Sequence, residues 1–195
     1  ALGQFALKEV RINDPSSALE VGWFSTQDYA TGLRVVGGRA YVATQSGLEI
    51  FDVTLPTPTR LGRLAGEFSV ELLGRVHMVL DGTTLFVSKA KGPVTIDVSN
   101  PAAPKFLGLP AANAPAVRSL ALNGGGRMLA LTMGTPTGTP QGAAFLSIYD
   151  VSDPANVGVF QFSLTTLWRA RDIGSLNGFA LVADDLACLA VLNFA

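Results

Sequence analysis

A short phrase that recurs along the chain constrains the fold more than any other feature. It reads FDVTLP at 51–56, IDVSNP at 96–101 and YDVSDP at 149–154. Asp and Ser side chains bond nearby backbone N–H groups, and Pro has no N–H with which to extend a β-ladder. The phrase therefore predicts an apolar strand that ends in a turn, three times along the chain.

Turn dipeptides give a second marker in phase with the first. Gly37-Gly38, Asp81-Gly82, Asn123-Gly124 and Asn177-Gly178 each lie between two short apolar runs, which is typical of a β-hairpin. Both markers recur about every 45 residues. Four short antiparallel strands in a unit of that length are typical of a β-propeller blade. A β-sandwich is the main rival, but it does not need two markers that repeat in phase.

We therefore predict an all-β fold, a β-propeller of about four blade-equivalents with four antiparallel strands each, in a single domain over 1–195. The predicted blades are 26–70, 71–115 and 116–168, with partial blades at 1–25 and 169–195 and an inserted loop at 133–143. Pairing of the two partial blades would close a ring of four blades and remove exposed sheet edges. The strand predicted over 5–12 is surplus in such a ring, so an excerpt of a longer propeller remains equally open.

Composition narrows the class of partner. Hydrophobic residues make up 48% of the chain and charged residues 15%, against about 25% charged in typical soluble domains. So few charges leave two alternatives for the surface: either partners cover much of it, or Ser, Thr, Gly and Asn make it polar.

The charge distribution bears on the kind of partner. A net charge of −1 without charge runs provides no basic patch that could bind nucleic acid. No apolar run approaches the ~18 residues of a membrane span. We expect no nucleic-acid partner, no membrane span and no cofactor.

The repeats resemble a known family. Ala40-Tyr41-Val42-Ala43, the segment 47–54 (GLEIFDVT) and the segment 96–105 (IDVSNPAAPK) look like LVIVD repeats, and Ala170-Arg171-Asp172-Ile173 is similar to that family's opening strand. LVIVD repeats occur in propellers of many bacterial and archaeal surface or secreted proteins. The resemblance therefore implies a propeller fold and an extracellular or cell-surface location, with the periplasm as an alternative. It implies no particular activity.

Three arginines are the best candidates for a ligand site. Arg75, Arg118 and Arg171 begin the first strand of three successive units, and Thr31 takes that place in the remaining one. First strands border the channel of a propeller, so these residues should converge at its mouth with Asp172. Guanidinium groups bind carboxylates and phosphates through forked donors. The arginines are equally compatible with structural pairing to Asp172 or to backbone carbonyls.

Other polar residues favour structural roles. Asp52, Asp97 and Asp150 lie in separate blades, so we interpret them as turn caps and predict no metal site. Asp184-Asp185 is expected to be an exposed turn. His77 is the only histidine, and Cys188, the only cysteine, excludes an intrachain disulfide. We interpret the first as a satisfied strand residue and the second as a small core hydrophobe.

We found no catalytic residues, so we expect a non-catalytic protein-interaction or scaffold module of a secreted or cell-surface protein. One alternative is a small-ligand, anion-binding or enzymatic site at the channel mouth. The other is a structural subunit of a larger extracellular assembly. The inserted loop carries no charged or aromatic residue, so binding and mere decoration are both open for it.

Overall fold

The computed structural model describes residues 5–12, 16–66, 75–108, 114–133, 144–158, 162–165, 170–184 and 188–193. These residues contain strands and turns but no helix, which confirms the all-β prediction. They therefore include no helix that could cross a membrane. The predicted inserted loop lies outside the described residues, apart from the strand residue Met133.

Seventeen strands are found in the described residues. They are β1 Ala6–Arg11, β2 Leu19–Ser25, β3 Ala30–Val36, β4 Arg39–Thr44, β5 Gly47–Asp52, β6 Thr59–Ala65, β7 Met78–Asp81, β8 Thr84–Val87, β9 Val94–Asp97, β10 Lys105–Gly108, β11 Ala116–Gly124, β12 Arg127–Met133, β13 Ala144–Asp150, β14 Phe162–Thr165, β15 Ala170–Leu176, β16 Phe179–Asp184 and β17 Cys188–Asn193. All pairings between them are antiparallel.

The chain divides into two compact units, which we describe separately. The first comprises residues 1–69 and 100–104. It holds a two-stranded sheet, β1-β2, and a four-stranded sheet, β3-β4-β5-β6. Leu7 and Phe24 of the small sheet pack on Ala40, Val42 and Phe51 of the large one, with the rings of Phe24 and Phe51 4.9 Å apart.

The second unit comprises residues 70–99 and 105–195. It holds two four-stranded sheets, β7-β8-β9-β10 and β11-β12-β13-β14, and a three-stranded sheet, β15-β16-β17. Four-stranded antiparallel sheets of consecutive strands are the predicted blades. The assignment to a single domain, and the choice between a closed ring and an excerpt, remain predictions.

Strand β12 shows why the central strands are apolar without interruption. Met128 and Ala130 join the cluster that contains Phe86 of β8, whereas Leu129 and Leu131 join the cluster that contains Ala180 of β16. Successive side chains of a strand point to opposite faces. Because this sheet is covered on both faces, both sets of side chains must be apolar, and the chain as a whole is rich in hydrophobic residues.

The hairpin turns agree with the prediction at two of four sites. Val36 pairs with Arg39 across Gly37-Gly38, and Leu176 pairs with Phe179 across Asn177-Gly178. All four turn residues have positive φ, as a type I′ turn requires.

The other two turns were predicted in the wrong register. Asp81 pairs with Thr84, so the turn is Gly82-Thr83 and not Asp81-Gly82. Gly124 pairs with Arg127, so the turn is Gly125-Gly126 and not Asn123-Gly124. Gly82, Gly125 and Gly126 have positive φ. Glycine adopts that conformation without steric cost, and it therefore fixes the turn in place of the preceding Asp or Asn.

The recurring aspartates cap turns, as the sequence predicts. Oδ1 of Asp52 accepts bonds from the Thr54 N–H at 2.9 Å and from the Thr54 hydroxyl at 2.6 Å. Asp150 makes the same two bonds to Ser152, at 2.9 and 2.6 Å. Asp97 accepts from the Ser99 N–H at 2.8 Å. These hydrogen bonds lower the pKa of all three carboxyl groups.

The loop that follows the recurring phrase also packs against a sheet. A side chain at Gly62 of β6 would collide with the backbone of Pro101 and Ala102, which belong to the first unit. In the second unit, a Cβ at Gly108 of β10 would lie 2.9 Å from the carbonyl oxygens of Pro154 and Ala155. The loop after each Asp-Val-Ser therefore packs on a fourth-strand glycine of another sheet, a relationship that the sequence analysis did not identify.

Candidate functional site

A cluster of polar side chains in the second unit joins the first strands of three sheets. Ser119 of β11 pairs with Leu131, and Asp172 of β15 pairs with Ala183. His77 lies next to β7 and faces Ser88, because the Ser88 N–H donates to the His77 carbonyl at 2.9 Å. Since Ser88, Leu131 and Ala183 are equivalent in the repeat, His77, Ser119 and Asp172 occupy one register position. We call these three residues the polar cluster.

Hydrogen bonds run through the polar cluster in a fixed direction. The Ser119 hydroxyl donates to Oδ1 of Asp172 at 2.5 Å, and the Ile173 N–H donates to the same oxygen at 2.9 Å. The Ser119 oxygen lies 3.2 Å from Nδ1 of His77. Because the serine proton points to Asp172, His77 must donate from Nδ1, which assigns that tautomer.

These three residue types occur in hydrolase triads, but their order here differs. In a triad the imidazole lies between the serine and the carboxylate and takes the serine proton. Here Ser119 lies between the other two, donates a hydrogen bond to Asp172, and is fully buried. The serine therefore has neither the base nor the access that a nucleophile needs. The geometry suits a bond between sheets.

Arg75 extends the cluster to the surface. Its guanidinium lies 3.8 Å from Oδ2 of Asp172, and its side chain is 65% exposed. Nδ1 of His77 also lies 3.8 Å from Asp172. Burial lowers the pKa of His77, Asp172 raises it and Arg75 lowers it, and burial is the largest of the three effects. The net pKa lies below the ordinary value of 6.5.

The predicted arginines are not all equivalent. The register skips Arg118 between Val117 and Ser119, and it skips Arg171 between Ala170 and Asp172. Thr31 is skipped in the same way between Ala30 and Gly32. Each is the extra residue of a β-bulge.

Arg75 does not take that place, and its predicted alignment was wrong. It lies three residues before β7 begins at Met78, whereas Arg118 and Arg171 lie within their strands. Because His77 stands in the row of Ser119, the residue equivalent to Arg118 is Val76. The structure therefore joins Arg75 to Asp172, and it places Arg118 and Arg171 in bulges. Ligand binding by these residues remains a prediction.

Sequence reasoning treated the members of the polar cluster separately. It assigned His77 a structural role as a satisfied strand residue without identifying its partners, and it did not consider Ser119. The signal was present one residue beyond Thr31, Arg118 and Arg171, where the aligned units carry Gly32, Ser119 and Asp172, with His77 at the same position in the remaining unit. Three of these four side chains are polar, and residues at one repeat position on neighbouring first strands are brought together in a propeller.

The remaining candidates divide into three cases. Asp184 is buried because it forms the end of β16, so its assignment to an exposed turn was wrong. Asp185 lies outside the described residues, and Cys188 is described only as a backbone position of β17. Within the described part of the chain, no three His, Cys, Asp or Glu side chains gather closely enough to hold a metal ion.

A second candidate site is an apolar surface in the last sheet. One face of β15–β17 carries five large apolar residues, and we call these the outer face: Leu176, Phe179, Leu181, Leu189 and Val191. All except Leu181 are exposed, from 40% at Phe179 to 61% at Leu176. Four of the five residues line, together with Asn177, a groove of about 320 Å³. The opposite face packs on β11–β13 through Ile173, Ala180 and Val182.

Solved structures with a similar fold support the propeller class. The computationally designed Ika4 protein matches with a TM-score of 0.62 at 8% identity, over 88% of this chain and 94% of that one. The designed Ika8 protein matches with a TM-score of 0.61 at 10% identity, over 87% of this chain and 47% of that one. At these identities the likeness shows the fold alone. Together with the blade-like sheets, it shows that the chain has a β-propeller fold.

A natural complex gives a similar match. The S. cerevisiae structure of dbp5 l327v bound to nup159, gle1 h337r, ip6 and adp contains a chain that matches with a TM-score of 0.55 at 13% identity. The match covers 96% of this chain and 55% of that one. The chain therefore spans about half the length of this match and of Ika8.

Two of the repeats match the model of a known family. The LVIVD repeat profile matches residues 28–61 and 79–109, which confirms the resemblance. The first match includes β3, β4 and β5, and the second includes β8, β9 and β10. No curated relative matches the chain.

Proposed function

We propose that this β-propeller is a non-catalytic interaction or scaffold module whose binding surface is the outer face. The observation that carries the proposal is the exposure of four large apolar side chains on one side of one sheet. Isolated exposed apolar residues are normal, but a contiguous apolar patch usually marks an interaction site. Phe179 and its neighbours also line a groove, which gives a partner side chain a place to anchor.

The polar cluster supports the non-catalytic part of the proposal. Its serine is fully buried and donates to a carboxylate, so the cluster has the organisation of a structural bond. The location we infer is outside the cytoplasm, at the cell surface, secreted or in the periplasm. The support for that location is the resemblance to repeats of surface and secreted proteins.

Copurification with matched variants tests the binding surface. We would replace Leu189 of the outer face with Glu and compare it with Leu55→Glu, because both leucines are about equally exposed, at 60% and 63%. Proteins that bind the parent chain and Leu55→Glu but not Leu189→Glu are partners at the outer face. An identical set of bound proteins for all three, or a set that lacks even a further copy of the chain, would contradict the proposal.

A second candidate function is binding of a small carboxylate or phosphate by Arg75. The observation that favours it is the 65% exposure of the Arg75 side chain, which leaves donors accessible beside its ion pair with Asp172. Isothermal titration with inorganic phosphate and with acetate tests this candidate. Binding that disappears in Arg75→Ala supports it, and the absence of binding heat in the parent chain contradicts it.

A further inference from the structure

Three residues of the outer face, Leu181, Leu189 and Val191, occupy the same repeat positions as residues of an interface that the second unit already contains. The strand register establishes this correspondence. The second and third strands of the two sheets begin and end their pairing at equivalent residues: Arg127 pairs with Asp150 in one sheet, and Phe179 pairs with Asn193 in the next. Counting from these pairs, the Leu181–Val191 pair corresponds to the Leu129–Ile148 pair.

The residues of the preceding sheet that correspond to these three are Leu129, Leu146 and Ile148, and they lie in the core cluster between the two sheets. Leu129 and Leu131 are fully buried, and they pack with Ile148 against Ala170, Ile173 and Ala180 of the following sheet. The occupant that fits these positions is therefore another β-sheet face, not an isolated peptide or a small molecule.

The two-stranded sheet β1-β2 of the chain has an exposed face that carries a large aromatic side chain. In the first unit, Trp23 is 54% exposed and pairs with Lys8. Its neighbour Phe24 pairs with Leu7 and packs on the sheet β3–β6, so Trp23 points to the opposite side. Tryptophan is among the residues that most often dominate binding energy at interfaces.

Resting on the proposed function, we infer that the partner at the outer face is a second copy of this chain, whose Trp23 enters the groove between Phe179 and Val191. The groove of about 320 Å³ has a wall of apolar side chains, as an indole ring requires. A net charge of −1 offers little repulsion between copies. The contact is head-to-tail, because the two surfaces that meet are different.

Mass measurement by size-exclusion chromatography with light scattering tests this inference on the purified chain. The parent protein should elute at a multiple of 20.3 kDa that falls on dilution. Trp23→Glu and Leu181→Glu should each elute as monomers. Glutamate at position 23 faces Lys8 across the strand pair, so the small sheet keeps a favourable partner. Leu55→Glu is the control and should keep the parent mass.

Mixing the two variants distinguishes a head-to-tail contact from general loss of association. Trp23→Glu retains an intact groove and Leu181→Glu retains an intact Trp23, so an equimolar mixture should form a 1:1 dimer. Thermal unfolding and circular dichroism of each variant show that it is folded. Three results would overturn the inference: a monomeric parent chain at all concentrations, a mixture that stays monomeric, or variants that keep the parent mass.

Failure of this inference is separable from failure of the proposed function. A monomeric chain that copurifies with a different protein through Leu189 overturns the second-copy contact and keeps the interaction module. A monomeric chain whose copurifying proteins ignore the Leu189→Glu change overturns both.

Discussion

Ser119 donates its hydroxyl proton to Asp172 over 2.5 Å, and the two residues hold the same register position on the first strands of two packed sheets. Backbone ladders stabilise each sheet internally but do not link one sheet to the next. A short charge-assisted bond between side chains supplies such a link. His77 extends the link to a third sheet.

Loss of the Ser119 hydroxyl should destabilise the second unit. Ser119→Ala removes the donor to Asp172 and the acceptor for His77, and it leaves two part-buried polar groups without this partner. We expect a loss of about 1–3 kcal/mol in the free energy of unfolding, measured by urea denaturation. Ser17→Ala, at an exposed position outside the strands, should change it by less than about 0.5 kcal/mol. Equal effects of the two changes would contradict the structural role.

The pKa of His77 should depend on its charged neighbours, Arg75 and Asp172. The chain has one histidine, so its NMR signals are unambiguous, and we expect a pKa below 6.5 because burial lowers it most. Arg75→Ala should raise this pKa and Asp172→Asn should lower it.

This depressed pKa has a consequence for stability. Because the folded pKa lies below the unfolded one, His77 contributes stability that is present above the unfolded pKa and is lost as the pH falls through the folded pKa. A titration midpoint above 6.5, or a midpoint that ignores both substitutions, would be inconsistent with the polar cluster.

Fourth-strand glycines should be intolerant of a methyl group where a loop packs on them. Gly62→Ala and Gly108→Ala bring a Cβ against backbone atoms, which cannot move as a side-chain tip can. We expect each to cost about 1–3 kcal/mol in the free energy of unfolding. Gly22→Ala and Gly174→Ala are matched controls, because nothing lies within 4 Å of the added atom, and each should be neutral or stabilising.

Acid should weaken the turns that end the strands. The Ser152 hydroxyl contributes most to lowering the pKa of Asp150 from 3.8, so Ser152→Ala should raise that pKa towards 3.8. Carbon-detected NMR titration of the carboxyl groups measures it. Since the folded pKa is depressed, the stabilisation is present above the unfolded pKa and is lost as the pH falls through the folded one. An Asp150 pKa that is unaffected by Ser152→Ala would contradict the turn-cap assignment.

Local patterns predicted the strands and turn caps well because each depends on neighbouring residues. The aspartate at position 52 and the hydroxyl at position 54 are two residues apart, so their bond can be inferred from spacing alone. Two other contacts join residues that are far apart in the sequence: Gly108 packs against Pro154, and Ser119 donates a hydrogen bond to Asp172. Such pairs depend on how the sheets stack, and a one-residue error in aligning the repeats, as at Arg75, is enough to hide them.

The outer face also lies beyond what the pattern of a single strand shows. Leu181 and Leu129 stand at equivalent positions in similar strands, yet Leu129 is fully buried and Leu181 lines an open groove. The difference arises from the presence of a following sheet against one and its absence, among the described residues, against the other. The composition therefore left a partner-covered surface as one of two alternatives, and it did not indicate which sheet face would carry it.

Photo-cross-linking from position 189 tests most directly whether the outer face is where this propeller binds. A benzophenone side chain at Leu189, with the same group at Leu55 as control, would be activated in an extract of the source cells, and the products identified by mass spectrometry. We expect a discrete cross-linked protein from position 189 that is absent from position 55. No discrete product from position 189, or the same products from both positions, would contradict it.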